Sequence, residues 1–389
     1  MILSRLLVQP RNFIYIEKQL EVFLLVASRI TGTVHSRTLR LTKPREIQEL
    51  VVEREIRRGE VAVEPTIASI CHADLRYFSG QRKPEVLARK LPMALLHEGI
   101  GIVVESKSNK LSEGQRVLIV PNLPGYLLRG IEPEQCCPAC RNEIEDNYCY
   151  HSEFLGSGTD GIAQSRLVLP EECAVPIPDM IPDEIAVLSE LCSVSYRALR
   201  GVSPLLDRAR IAVFGDGPVG YLTAAMLHHV YKIGSDRLIV FGAVREKLDQ
   251  FTFGTTEMVQ NYDFLSGEKV DIVVECTGGR FSESAINQGI DILKPGGHLI
   301  AMGVSEDLVP INTRDVLEKG ITLHGSSRSS ESDFKQVLKV MESPDCQDTL
   351  RKLLPEKYTV VSTAEDLAGA MESAMSHRDW KKTILDFHW

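Results

Sequence analysis

The sequence lacks a basic excess, a long apolar run and any internal repeat, and each absence narrows what the chain can do. Its 44 Lys and Arg stand against 53 Asp and Glu, a net charge of −9. That is no electrostatic footprint for nucleic acid, and an anionic substrate must be caught by a local cluster of cations. No stretch nears the roughly 18–20 apolar residues needed to cross a bilayer. An apolar patch, Val22 to Ala27, follows Glu17, Lys18 and Glu21, and it has neither the positive start nor the length of a signal peptide. Without repeats or low-complexity tracts, 389 residues leave room for two domains of ordinary size. The nine cysteines are odd in number and clustered, which favours metal or free thiols over a disulfide framework. The expected location is therefore the cytoplasm.

Three textures follow one another. After the N-terminal segment come short strand-like runs broken by Gly and Pro, such as "RRGEVAVEPTIASI" and "EGQRVLIVPN", which suggest a mostly β domain. From near Pro182 buried strands alternate with helical stretches: "RIAVFG", "RLIVFG", "VDIVVECTG", "GHLIAMGV". That alternation implies a doubly wound parallel sheet. The last part, from about Ser329, is helical and ends in "KKTILDFHW".

"RIAVFGDGPVGYLTAAML" places Gly215, Gly217 and Gly220 between a strand and a helix. The first permits the tight turn, the second lets backbone approach a pyrophosphate, and the third allows close helix–strand packing. The helix N-terminus adds free N–H groups for phosphate. A further absence selects the cofactor. The next strand ends at Phe241-Gly242-Ala243 with no carboxylate for a ribose hydroxyl, while Arg245 and Lys247 stand just beyond. This points to NADP(H) rather than NAD. The plainer reading of the two cations is a solvated helix start.

Cys71 in "ICHAD", His97 and Glu98 in "LLHEGIG", and Glu190 in "LSELCSV" supply ligand types that zinc takes. Singly, each has an ordinary structural reading: a core cysteine, a surface His-Glu pair. Upstream of a dinucleotide turn, the set resembles the zinc-dependent medium-chain dehydrogenase/reductases, the alcohol and polyol dehydrogenases, over about residues 34–389. The resemblance implies a GroES-like catalytic domain over 34–188, a Rossmann NADP-binding domain over 189–320, and a return to the catalytic domain over 321–389. Residues 1–33 have no counterpart and read as an N-terminal extension, of the kind that is commonly disordered when nothing anchors it. Carried over by motif, Cys71 and His97 are metal ligands. Glu98 ligates the metal or stands behind it. Glu190 completes the site, with Cys192 as the alternative. Asp74 would orient the histidine, and His72 would lie near cofactor phosphate. Lys382, just before "TIL", would contact the cofactor pyrophosphate.

Within that family "ICHADLRYFSGQRKPEVLARKLPMALLHEGIG" and "VLEKGITLHGSSRSS" are similar to the ribulose-5-phosphate reductases that make ribitol 5-phosphate for CDP-ribitol, a precursor of teichoic acid or capsule. That implies an oxidoreductase with zinc, NADPH and a pentulose phosphate. It also implies a homo-oligomer and a cytidylyltransferase partner. Another polyol or sugar-phosphate dehydrogenase is the alternative, and a metal-free binding protein of the same fold is argued against by the intact Cys71, His97 and Glu98. Arg76, Arg82 and Lys90 match the reductase pattern and are expected on the substrate phosphate. Lys83 and Arg89 read as solvated, and Arg328 is a further candidate.

Two departures stand out. The family's hydroxyl relay two residues after the cysteine is here Ala73, which has no proton to give. The replacement is sought in a water held by Glu98 or Glu190, in a substrate hydroxyl, or in Tyr77. The lobe that holds a structural zinc in many members reads "EQCCPACRNEIEDNYCYH". Cys137, Cys140 and Cys149 fit three places, with His151 near the last. Glu143 stands at the remaining one, and Cys136 is disfavoured because adjacent residues rarely face one metal.

Overall fold

The computed structural model of the protein describes residues 32–141, 146–376 and 380–389. All but the last two residues of the extension expected over 1–33, and Glu143, lie outside the described residues.

The first half is antiparallel. β1 (Thr33–Lys43) and β2 (Glu46–Glu55) make a long hairpin. β3 (Glu60–Ser69) pairs with β4 (Glu98–Ser106), and β4 pairs with β5 (Arg116–Ile119). β6 (Leu167–Pro170) joins the start of β3, and β7 (Ala174–Pro176) borders β5. Ser69 and Glu98 are register partners at the ends of β3 and β4. The residues just beyond those ends, 70–74 and 95–97, are thereby brought together although more than twenty positions separate them.

The second half is a six-stranded parallel sheet: β8 (Ile211–Phe214), β9 (Leu238–Gly242), β10 (Thr255–Met258), β11 (Val270–Glu275), β12 (Leu293–Ala301) and β13 (Thr322–Gly325). Their order across the sheet is β10-β9-β8-β11-β12-β13, the doubly wound order, with a switch point beside β8. Every residue of β8 is buried, because helices cover both faces. Ile211 and Val213 enter the large apolar core that runs on into the first half, whereas Ala212 and Phe214 enter a second core on the other face. There Phe214 stacks on Phe241 at 4.8 Å between ring centroids.

The chain then returns to the first sheet. β14 (Thr359–Val361) pairs with β15 (Ile384–Phe387), and β15 lies antiparallel to β3, with Ile384 opposite Ser69. The return begins later than the sequence suggests. A boundary at 320 would cut off β13, which pairs with β12 from His298–Thr322 onward. Among the described residues no helix is long and apolar enough to cross a membrane.

Candidate active site

Beyond β3 the chain turns into helix α1 (His72–Phe78), with Cys71 as its N-cap residue. Asp74, fully buried in its first turn, organises the site: Oδ2 accepts from Cys71 N at 2.9 Å and Oδ1 from Leu96 N at 3.0 Å. The same Oδ1 lies 3.4 Å from His97 Nδ1, which fixes the ring and turns the other nitrogen inward. Burial alone would raise the Asp74 carboxyl, but His97 and the two amides outweigh it and hold it below its ordinary value. Leu96 has φ of +76°, a left-handed conformation that costs an L-residue about 1–2 kcal/mol. Asp74 on its N–H and Ile162 N on its carbonyl, at 2.9 Å, hold it there and aim His97.

Ligand atoms of Cys71, His97 and Glu98 lie within 4.8 Å of one another. Glu98 is wholly buried; Oε2 takes Ser69 Oγ and the Lys382 ammonium, the latter at 2.8 Å, while Oε1 has no partner. A thiol, an imidazole and an orphaned carboxylate oxygen converging in one place fit a zinc ion. Glu190, expected as a ligand, stands outside this trio. It is buried in the first turn of helix α3 (Ser189–Arg200), placed after α2 (Pro84–Lys90) in the chain. Burial and the charge of Glu98 push its carboxyl up to about 7. Cys192, the alternative, is packed in the apolar core.

The Gly-rich turn follows β8. At Gly220 a Cβ would lie 2.0 Å from Gly215 O, and Gly215 has φ of +133°, so both positions require glycine. At Gly217 a Cβ would meet nothing within 4 Å; that open side is where a pyrophosphate approaches the start of helix α4 (Pro218–His229). A cavity of about 610 Å³ runs from this turn, past Gly242–Val244 and Lys247, to His72 and Cys71. A dinucleotide lying in it would present its far end to the trio. Arg245 is not on the cavity wall; it is exposed, 3.9 Å from Asp249. Lys382 lines the cavity, but its ammonium is turned onto Glu98 and the Ile70 carbonyl at 2.9 Å rather than outward to a pyrophosphate.

Sequence reasoning missed Asp216. Its Oδ2 accepts from Ala243 N and Val244 N at 2.7 and 2.8 Å, so a carboxylate does reach the end of β9, delivered from the glycine turn. The aspartate between the glycines was the available signal.

The three cations expected on the substrate phosphate lie around α1. Lys90 Nζ donates to Tyr77 OH at 2.9 Å and Ser157 Oγ at 2.8 Å. Burial would raise the Tyr77 phenol, but Lys90 and Ser157 outweigh it and lower its pKa. Arg82 stacks over the Tyr77 ring at 4.7 Å, and both Arg82 and Arg76 reach Glu306. Phe154 packs against His97 at 5.4 Å, with Arg328 over its ring at 5.0 Å.

Away from this centre, Cys136, Cys137, Cys140 and Cys149 bring their sulfurs within 4.8 Å of one another. Cys136 belongs to the cluster after all. It ends a short helix, Pro133–Cys136, with Cys137 extended just after it, and the sulfurs of both approach Cys149 Sγ, at 3.7 and 3.9 Å. His151 is exposed and outside the cluster. Four thiols at such range are the donor set that a closed structural zinc site uses.

Two family models match the chain: the alcohol dehydrogenase GroES-like domain over residues 57–179 and the zinc-binding dehydrogenase over 225–343. Ribulose-5-phosphate reductase 1 of Staphylococcus aureus is 38% identical over 89% of this chain and 97% of its own length. The ribulose-5-phosphate reductase of Bacillus spizizenii is 35% identical over 90% and 99%. Among solved structures, S. aureus TarJ in complex with NADPH superposes with a TM-score of 0.76 at 33% identity, over 92% of this chain and 100% of that one. L-idonate 5-dehydrogenase from Escherichia coli shares the fold, with a TM-score of 0.77 at 22% identity over 91% of this chain and 99% of that one. A catalytic sheet ending in a Cys–His–Glu trio, joined to a doubly wound cofactor sheet and matched over nearly its whole length, makes this chain a member of the zinc-dependent medium-chain dehydrogenase/reductase family, together with the ribulose-5-phosphate reductases.

Proposed function

We propose that the protein reduces D-ribulose 5-phosphate to D-ribitol 5-phosphate with NADPH at a zinc site. The observation that carries the reading is the single cavity joining the glycine turn to Cys71, because hydride transfer needs cofactor and metal trio to share one space. The sugar phosphate is supported by the reductases that match the chain nearly end to end.

Each part of the chain has a task in this reading. Gly215, Gly217 and the start of α4 hold the pyrophosphate. Lys247 meets the ribose phosphate. Asp74 keeps His97 in one tautomer and one orientation. Cys71, His97 and Glu98 hold the zinc, which when bound supplies Lewis-acid polarisation of the ketone. Hydride adds to the carbonyl carbon, and the oxygen that gains the electron pair must take a proton. Position 73 has no hydroxyl to give it, so we assign that proton to the buried carboxyl of Glu190. Arg76, Arg82 and Lys90 take the substrate phosphate.

Nine free cysteines and a sugar-phosphate substrate support a reducing compartment, the cytoplasm. A homo-oligomer and a cytidylyltransferase that consumes the product are the partners the reading implies. The test is NADPH consumption by the zinc-loaded protein over a panel of ketose phosphates, with the product identified. Ribulose 5-phosphate should be the preferred substrate by kcat/KM; preference for another ketose phosphate would replace the substrate named here.

A further inference from the structure

Arg76 lies in α1 and Arg82 follows it, whereas Glu306 lies between β12 and the helix Thr313–Lys319 of the cofactor half. The three meet across the junction between the halves. Glu306 Oε1 is 2.5 Å from Arg82 NH1 and 3.5 Å from Arg76 NH1, and Arg76 NH1 also donates to Val304 O at 3.4 Å. One carboxylate oxygen thus serves two guanidiniums. The service is incomplete: the Nε atoms of Arg76 and Arg82 are both buried without any partner. Burying a charged donor without an acceptor is costly, so the pair is built for an anion with more acceptor oxygens than Glu306 offers.

A phosphate monoester is such an anion. It carries up to two negative charges and three terminal oxygens, and guanidinium groups bind it in forked geometry. An uncharged hydroxymethyl end cannot displace a carboxylate from two arginines.

Resting on the sugar-phosphate reading above, we propose that Glu306 occupies the place of the substrate's phosphate in the empty site and is driven out by it, which makes Glu306 a specificity-determining residue. It sets a threshold that a phosphorylated ketose passes and an unphosphorylated one does not. The apparent affinity of any anion for the arginines is its intrinsic affinity reduced by the fraction of sites that Glu306 holds. Glu306 is part-exposed at 30%, and Leu308, two residues on, is fully in solvent, so the side chain has room to swing away.

The experiment uses the zinc-loaded protein saturated with NADPH, so that the cofactor's own phosphate site is filled, and inorganic phosphate as the probe. Calorimetry on Glu306→Gln should show phosphate bound about tenfold more tightly than in the parent. Arg82→Ala should abolish that binding. In turnover, Glu306→Gln should lower KM for ribulose 5-phosphate by a similar factor and leave KM for unphosphorylated ribulose unchanged. Glu306→Ala repeats the measurement without the amide. Unchanged or weaker phosphate binding in both Glu306 variants overturns the proposal, as does undiminished binding in Arg82→Ala. If the variants bind phosphate more tightly while ribulose 5-phosphate is not reduced, the substrate assignment falls and the role of Glu306 stands.

Discussion

The Lys382 ammonium lies 2.8 Å from Glu98 Oε2, and both side chains are closed off from solvent. Burial would lower Lys382 and Glu98 outweighs it, so the lysine stays charged. Removing one partner of such a pair leaves the other charge buried alone, which costs about 3–5 kcal/mol. Lys382→Met should therefore lower the unfolding free energy of the metal-stripped protein by about 3 kcal/mol, read from urea titration. A change under about 1 kcal/mol would show that Glu98 does not depend on the lysine.

The two clusters of ligand atoms predict two zinc ions per chain, one on Cys71, His97 and Glu98 and one on the four cysteines. Elemental analysis of Cys136→Ser should find one zinc fewer and activity reduced only through stability. Loss of no zinc would remove Cys136 from the ligand set.

Lys247 lies on the cavity wall beside Ala243 and Val244. Lys247→Ala should raise KM for NADPH about tenfold, the loss expected for one charge-assisted contact, and barely affect NADH. Equal losses with both cofactors would place the ribose phosphate elsewhere.

Glu190→Gln keeps the shape of the side chain and removes its acidic proton. It should lower kcat about a hundredfold, within the range of general acid catalysis, with KM little changed. Unchanged kcat would exclude Glu190 as the proton source and turn attention to Tyr77, whose hydroxyl is held by Lys90 and Ser157.

His229 is half-buried, with Nε2 2.9 Å from Thr349 Oγ1. Burial, then His228 and Lys232, push its pKa down to about 4. In the unfolded chain it titrates near about 6.5. Between those values the unfolded state binds the proton and the folded state does not. Stability from this group is thus complete above about 6.5 and declines as the pH falls toward about 4. Melting temperatures measured across that window should fall less steeply for His229→Gln than for the parent.

Much of this was legible in the sequence because it depends on local pattern. Gly215 and Gly220 each have a steric reason that survives any context, and the buried run Ile211–Phe214 reads as an interior strand. Cys71 and His97 were expected through the motif resemblance, and the register of β3 with β4 accounts for their meeting. What was not legible depends on side-chain direction. Glu190 sits near the trio but outside it, a difference set by the position of α3. Cys136 joins Cys137 in one cluster only because a helix ends at the first and the second is extended, a local backbone change that spacing does not announce. Arg76 and Arg82 were readable as cations, but Glu306 reaches them from more than two hundred residues away, and no spacing rule connects them.

The position of β15 bears on how the molecule assembles. It fills the gap between β3 and β14, so the sheet that carries Cys71 and Glu98 closes only when residues 384–387 arrive. The parallel sheet precedes them in the chain and needs nothing from them. As synthesis proceeds, the cofactor half can fold first, while β3 waits more than three hundred residues for its neighbour. Such distant pairings are slow to form, and an unpaired strand edge is prone to aggregation in the meantime. Lys382 comes in with that strand, so the charge that neutralises Glu98 is among the last parts of the site to be put in place.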